Sequence, residues 1–174
     1  MLRPEQSKQV HKDFMNMYEN EADTLFRFVF FRTRDRESAL DIVQDTFLRT
    51  WRYLTEGNSI PELRAFLFQT ARNVIIDVWR KNGRRATHSL DAFLDEGGDI
   101  AEESPSLEFD PLDVERAVKL LSELEPTEYR EAVYLRFIEE LSPKEIAGVL
   151  GVSENVASVR IHRGIKKLNT QFAL

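Results

Sequence analysis

The chain has 174 residues, 42% hydrophobic and 31% charged, with a formal net charge of −6 at pH 7, enough apolar side chains for one or two small cores. It contains no cysteine, which excludes disulfides and thiolate metal sites, and no apolar run approaches the length that spans a bilayer. The opening MLRPEQSKQVHKDF lacks the apolar stretch of a secretory leader, so a cytoplasmic chain without membrane insertion is expected.

Three helices are predicted first, over about 8–32, 36–54 and 61–81, with loops at 33–35 and 55–60 and Pro61 in the first turn of the third. The second (RESALDIVQDTFLRTWRYL) has an inward stripe of Ala39, Ile42, Val43, Thr46 or Phe47, Thr50 and Leu54. Its outer face carries Asp41, Gln44, Asp45, Leu48 and Arg52. An apolar residue among acids and an amide suits a protein partner, although a solvated face with one incidental leucine explains the pattern at least as well.

The third helix (PELRAFLFQTARNVIIDVWRK) combines an inward set of Leu63, Leu67, Ala71, Val74 and Val78 with Phe66, Phe68 and Trp79. On one side it presents Gln69, Asn73 and Arg80, and it runs into Lys81, Arg84 and Arg85. Aromatics interleaved with amides and guanidinium groups supply stacking surfaces and an electrostatic track for separated nucleic-acid strands. Core packing accounts for most of the aromatics equally well. Asn73 and Asp77, four apart, are placed to bond each other or a neighbouring helix end.

Residues 83–112 lose helical period: glycines at 83, 97 and 98, prolines at 105 and 111, and eight acids against two bases argue for a flexible acidic linker. That segment holds the entire net charge, since residues 1–82 are at +1 and residues 113–174 at −1. Once it is set aside, basic patches remain at 64–85 and 146–174. Domains are therefore expected at 1–82 and 113–174.

The second domain opens with helices predicted near 113–124 and 127–139, separated by Pro126, with Thr127 as a cap. Then PKEIAGVLGVSENVASVRIHRGIKKL spells two helices joined by a glycine turn. Ile146, Ala147 and Leu150 form one apolar patch, Gly151 supplies positive φ, Val152 plugs the corner and Ser153 caps the second helix. Along that helix Ala157, Ile161, Ile165 and Leu168 face inward. Outside lie Asn155, Ser158, Arg160, His162, Arg163, Lys166 and Lys167, able to bond phosphates and base edges. This is the pattern of a DNA-reading helix-turn-helix; the plainer alternative is an amphipathic hairpin ending a bundle. No stretch alternates like a strand, so the fold is expected to be all-α, two small helical domains joined by the linker.

Taken in order, these segments resemble the bacterial sigma factors of the extracytoplasmic-function type, the minimal sigma-70 class with only regions 2 and 4. ALDIVQDTFLRTWRYL is similar to region 2.2, LRAFLFQTARNVIIDVWRKNGRR to regions 2.3 and 2.4, and LSPKEIAGVLGVSENVASVRIHRGIKKL to the helix-turn-helix of region 4. The resemblance implies that Asp41, Gln44, Asp45, Leu48 and Arg52 dock on the β′ clamp of core RNA polymerase. It implies that the minus-ten element, opened to single strands, is held by Asn58, Ser59, Gln69, Arg72, Asn73, Arg80, Lys81, Arg84 and Arg85. Glu154, Asn155, Ser158, Val159, Arg160, His162, Arg163, Lys166 and Lys167 would read the minus-thirty-five element as a duplex, with the β flap as the second polymerase contact. The acidic linker would pass toward the active-site and RNA-exit channels, and a separate anti-sigma chain would hold the factor inactive. Phe66 stands where a tryptophan is common, Trp79 where a tyrosine or aliphatic is usual, and Val156 and Ala157 where threonine and a larger aliphatic often occur. No further C-terminal regulatory domain is expected.

Two other classes compete. A stand-alone helix-turn-helix regulator with an N-terminal sensing module accounts for the second half but gives no use for the aromatic and basic third helix. Enzyme activity finds no support, because His11, His88 and His162 are far apart and no nucleophile neighbours a base. No cofactor or metal is therefore expected.

Overall fold

The computed structural model describes residues 4–81 and 114–172, and among them all regular structure is helical. The linker expected at 83–112 lies outside the described residues, as do Arg84 and Arg85. The chain divides into two compact units, within Met1–Thr87 and His88–Leu174.

The first unit is a three-helix bundle: α1 (Pro4–Thr33), α2 (Arg36–Thr55) and α3 (Leu63–Lys81). α1 starts four residues earlier than the periodicity suggested, with Pro4 at its first position, where the missing N–H costs nothing. Arg34 turns the chain at φ 55°, and Asp35 then caps α2 by accepting a 2.8 Å hydrogen bond from the Ser38 amide. α3 begins at Leu63, not Pro61. The Glu62 carbonyl accepts the Phe66 amide at 3.0 Å, leaving Pro61 in the turn before the helix. Leu25, Phe28, Ala39, Ile42, Leu67, Phe68, Ala71 and Ile75 fill the core, and the Phe28 and Phe68 rings meet edge to face at 5.1 Å.

The second unit comprises α4 (Val114–Glu123), α5 (Thr127–Phe137), α6 (Pro143–Leu150) and α7 (Glu154–Phe172). α5 packs against all three others, which is why five consecutive residues, Glu131 to Leu135, are buried and no single stripe dominates. Thr127 is its first helical residue rather than its cap; Pro126 occupies that position and offers no side-chain hydrogen bond. The helix also stops at Phe137, two residues short of the expected end, where Glu140 turns the chain at φ 55°.

α6 has a cap that the sequence reading passed over. The Ser142 hydroxyl accepts from the Glu145 amide, the Glu145 carboxylate accepts from the Ser142 amide at 2.8 Å, and Pro143 follows in the first turn. Ser142→Ala is expected to lower the stability of this unit by ~1 kcal/mol, read as a reduced denaturation midpoint. An unchanged midpoint would show that Pro143 alone sets the start of α6.

Candidate nucleic-acid and partner-binding surfaces

On α2, Asp41, Gln44, Leu48 and Arg52 are exposed, as their spacing suggested. Leu48 is 55% exposed, and Leu40, two turns earlier on the same stripe, is 42% exposed. Two large aliphatic side chains therefore flank Gln44 in solvent. Asp45 is half-buried and already engaged: its carboxylate pairs with Arg49 at 2.9 Å, and Arg49 reaches Asp77 of α3 at 3.4 Å. The hydrogen bond that Arg49 donates to the Asp45 carboxylate, joined by the one to Asp77, raises the pKa of the Arg49 guanidinium above its ordinary value. Asp77 is thus tied to α2 by this ion pair.

The α2 face continues onto α1, which the sequence reading treated only as scaffold. His11, Phe14, Met15 and Tyr18 line one wall of a groove of about 440 Å³, and Gln44, Phe47, Leu48 and Trp51 line the other. Met15 and Tyr18 are 40% and 46% exposed. The only advance signal was four apolar or aromatic residues at helical spacing beyond what the core needed.

The loop between α2 and α3 is shaped by its own contacts. Gly57 takes φ 90°, and the Asn58 side-chain amide donates to the Tyr53 carbonyl at 3.0 Å. Asn58 and Ser59 are exposed, while Gln69 and Arg72 are half-buried on α3 and Asn73, Arg80 and Lys81 are exposed. The aromatics divide as the core alternative suggested. Phe68 is buried, Trp79 lies beneath the Arg32 guanidinium at 5.2 Å, and Phe66 is half-buried against Tyr53 with ring centres 4.9 Å apart. Arg64 pairs with Glu21 of α1 at 3.1 Å, both side chains partly exposed.

In the second unit Gly151 sits at φ 68° and donates to the Ala147 carbonyl, as does Val152 at 3.0 Å. The Ser153 hydroxyl accepts from the Val156 amide at 3.3 Å, giving α7 the expected cap. Ala157, Ile161, Ile165 and Leu168 are buried, and Ala147 and Ala157 allow the close crossing. Glu154, Asn155, His162, Arg163 and Lys166 point to solvent, with Ser158 and Arg160 at the margin.

Two members of the expected reading set are placed otherwise. Val159 is buried at 8% exposure, because α7 packs against both α5 and α6 and its inward arc is wider than one stripe. Lys167 has an exposed stem, but its ammonium donates to the Glu125 carbonyl at 3.0 Å and lies 5.6 Å from the Tyr129 ring centre. Gly164, not singled out from sequence, marks where α7 meets α5: a Cβ there would lie 2.5 Å from Val133 Cγ2 and 3.3 Å from the Tyr129 carbonyl oxygen.

Among the described residues no group of three or more His, Cys, Asp or Glu side chains is arranged to hold a metal, and no helix is long and apolar enough to cross a membrane. Residues 17–85 match the family model of Sigma-70 region 2, and residues 115–168 match that of Sigma-70 region 4. The chain is 32% identical over 142 residues to the ECF RNA polymerase sigma factor SigM of Bacillus subtilis, covering 82% of each. The chain belongs to the extracytoplasmic-function (ECF) sigma-70 factors. It is also 29% identical to ECF sigma factor SigL of Mycobacterium tuberculosis, over 87% of this chain and 84% of that one. Among solved structures, CnrH in complex with the cytosolic domain of CnrY is 25% identical with a TM-score of 0.65, covering 97% of this chain and 95% of that one. The sigma factor RpoE of Bartonella quintana, solved with the anti-sigma factor NepR, shares the fold at a TM-score of 0.68 and 24% identity, covering 94% of this chain and 98% of that one. As a sigma factor the chain binds core RNA polymerase and promoter DNA and directs transcription initiation. The stand-alone regulator is disfavoured, because the first unit is sigma region 2 and not a sensing module.

Proposed function

We propose that this sigma factor divides its work among three surfaces on either side of an acidic connector spanning 83–112, acting in the cytoplasm with no catalytic step of its own. The α2 face of Asp41, Gln44, Asp45, Leu48 and Arg52 docks on the polymerase clamp, and exposed Leu40 extends it. The α2–α3 loop and the Gln69, Asn73, Arg80 side of α3 hold the opened minus-ten strand, continued by Lys81, Arg84 and Arg85. The outer face of α7 enters the major groove of the minus-thirty-five element. The observation that carries this reading is the split of α7 into a buried face of Ala157, Ile161, Ile165 and Leu168 and an exposed face rich in amide, imidazole and cationic groups. A separate anti-sigma chain, as NepR is for the Bartonella quintana factor, would cover the same surfaces and so compete with polymerase.

Asn155 and Ser158 lie in the N-terminal half of α7, where the helix enters the groove, whereas Arg160 and Arg163 run along its flank beside the phosphates. Either Asn155→Ala or Ser158→Ala is expected to change preference at one or two minus-thirty-five positions by ~1 to 3 kcal/mol. Arg163→Ala is expected to weaken all promoters alike and to reduce the salt slope of holoenzyme binding by about one unit. Transcription from a promoter library randomised in both elements, at two salt concentrations, measures both effects. Unchanged base preference in both Asn155→Ala and Ser158→Ala holoenzymes would mean that another face of α7 enters the groove.

A further inference from the structure

The rings of the groove between α1 and α2 pack on one another. Phe14 meets Trp51 with centres 4.9 Å apart, and Tyr18 meets Phe47 at 4.8 Å. Met15 lines the same groove on the α1 side and is 40% exposed, and Leu48 lines it from α2. Two residues turn a helix by about 200°, so Met17 points the other way and is buried at 6% exposure. The chain has three methionines and no cysteine, and the third methionine, Met1, lies outside the described residues. Met15 is therefore the one exposed sulfur among the described residues, and no thiol competes with it for an oxidant.

A thioether suits an apolar contact surface because it is uncharged, polarizable and flexible enough to follow an irregular partner. Its sulfoxide does not. The added oxygen is a hydrogen-bond acceptor, and pressing it into a water-free contact carries the cost of burying an unpaired polar group. The change is reversible, because methionine sulfoxide reductases exist for each sulfoxide epimer. We propose that Met15 is a redox-modification site: a hydroperoxide converts its thioether to the sulfoxide, and the oxidised factor docks more weakly on core polymerase. With hydrogen peroxide, a sulfur lone pair attacks one peroxide oxygen, and the S–O bond forms as the O–O bond breaks. The proton left on the sulfur-bound oxygen passes to the departing hydroxide, giving water; sulfur is oxidised by two electrons and the peroxide reduced by two. The proposal rests on the reading that the α2 face docks on polymerase, and it extends that contact across the groove to α1.

The test treats the whole chain with hydrogen peroxide, locates the added oxygen by peptide mass mapping, and compares affinity for core polymerase before and after. Met15 is expected to be oxidised well before Met17, and the treated factor to bind about tenfold more weakly, as for one polar group buried without a partner. Reductases for both epimers are expected to restore the affinity. In Met15→Leu the ratio of affinities across the treatment is expected to stay near one, whatever the starting affinity of that variant. A tenfold loss that persists in Met15→Leu overturns the proposal, because another residue then carries the effect. A loss accompanied by reduced helical circular dichroism overturns it as well, since oxidation then acts by unfolding the bundle. Leu48→Asp separates the modification from the docking reading beneath it. If Leu48→Asp weakens binding while a factor shown to carry the Met15 sulfoxide binds like the parent, the α2 face docks and the modification has no role. If neither change weakens binding, the docking face itself is misplaced and the proposal falls with it.

Discussion

Asp41→Arg combined with Leu48→Asp is expected to abolish assembly with core polymerase while leaving the helical circular dichroism and thermal midpoint of the free factor unchanged. Both side chains are exposed and neither contributes to the bundle core, so the fold loses little. At the interface the consequences are severe. Leu48 is the most exposed large apolar residue described, and a carboxylate in its place would be desolvated against an apolar partner surface. Reversing the charge at Asp41 turns attraction into repulsion for a partner whose facing surface complements the native carboxylate. If each site costs about 2 kcal/mol or more, as centrally placed interface residues do, the loss is roughly a thousandfold. Competition binding against the parent factor measures it. Retained affinity in a normally folded double variant would remove the α2 face from the polymerase contact and shift attention to the groove it shares with α1.

The largest expected stability effect lies in the other unit, at Gly164. A bare Cβ there is placed 2.5 Å from Val133 Cγ2, and valine has little χ1 freedom with which to yield. The Tyr129 carbonyl at 3.3 Å blocks retreat in the other direction. Gly164→Leu is therefore expected to cost ~3 kcal/mol or more by overpacking, enough to unfold a small unit at moderate temperature. Gly164→Ala is a finer probe: helix propensity favours alanine by about 1 kcal/mol, and the clash opposes it by ~1 to 3 kcal/mol. Adding Val133→Ala should recover part of the loss in Gly164→Ala, although Val133→Ala alone destabilises the parent. The signature is a coupling of opposite sign to the single effects, measured by calorimetry. Purely additive changes would show that the crossing relaxes by sliding α7.

Much of the fold was written in local pattern. Gly151 and Ser153 announce their roles because a positive-φ turn and a helix cap are local problems with few solutions, and Ala157, Ile161, Ile165 and Leu168 mark the inner face of α7 by spacing alone. Less legible was anything decided by a second neighbour. Val159 looks outward on a wheel drawn for one contact, yet α7 has two partners. Lys167 reads as one cation among several until the turn carrying Glu125 comes into reach. Spacing left Asp77 to bond Asn73 or a neighbouring helix, and only the packed bundle brings Arg49 of α2, 28 residues away, within reach of it. The α1 side of the groove was missed because a long amphipathic helix raises no local signal when its second face is apolar as well. Pro61 and Thr127 were misplaced by one or two residues, the usual ambiguity where a proline-bearing turn meets a helix.

The arrangement of α5 limits how promoter specificity can be transplanted. Ile161 and Ile165 of α7 are buried, and Gly164 beside them lies against α5, so a segment cut at Pro143 to isolate the reading motif would carry an uncovered apolar face. Such a fragment should aggregate rather than bind DNA. An engineer redirecting this factor to a new promoter therefore has two workable units of exchange: the whole four-helix body, or a handful of outward side chains such as Asn155, Ser158 and His162 on an unaltered frame. The same constraint acts on divergence between paralogues, whose target preferences can drift rapidly on the outer face of α7 while the positions beneath it change only in concert with α5.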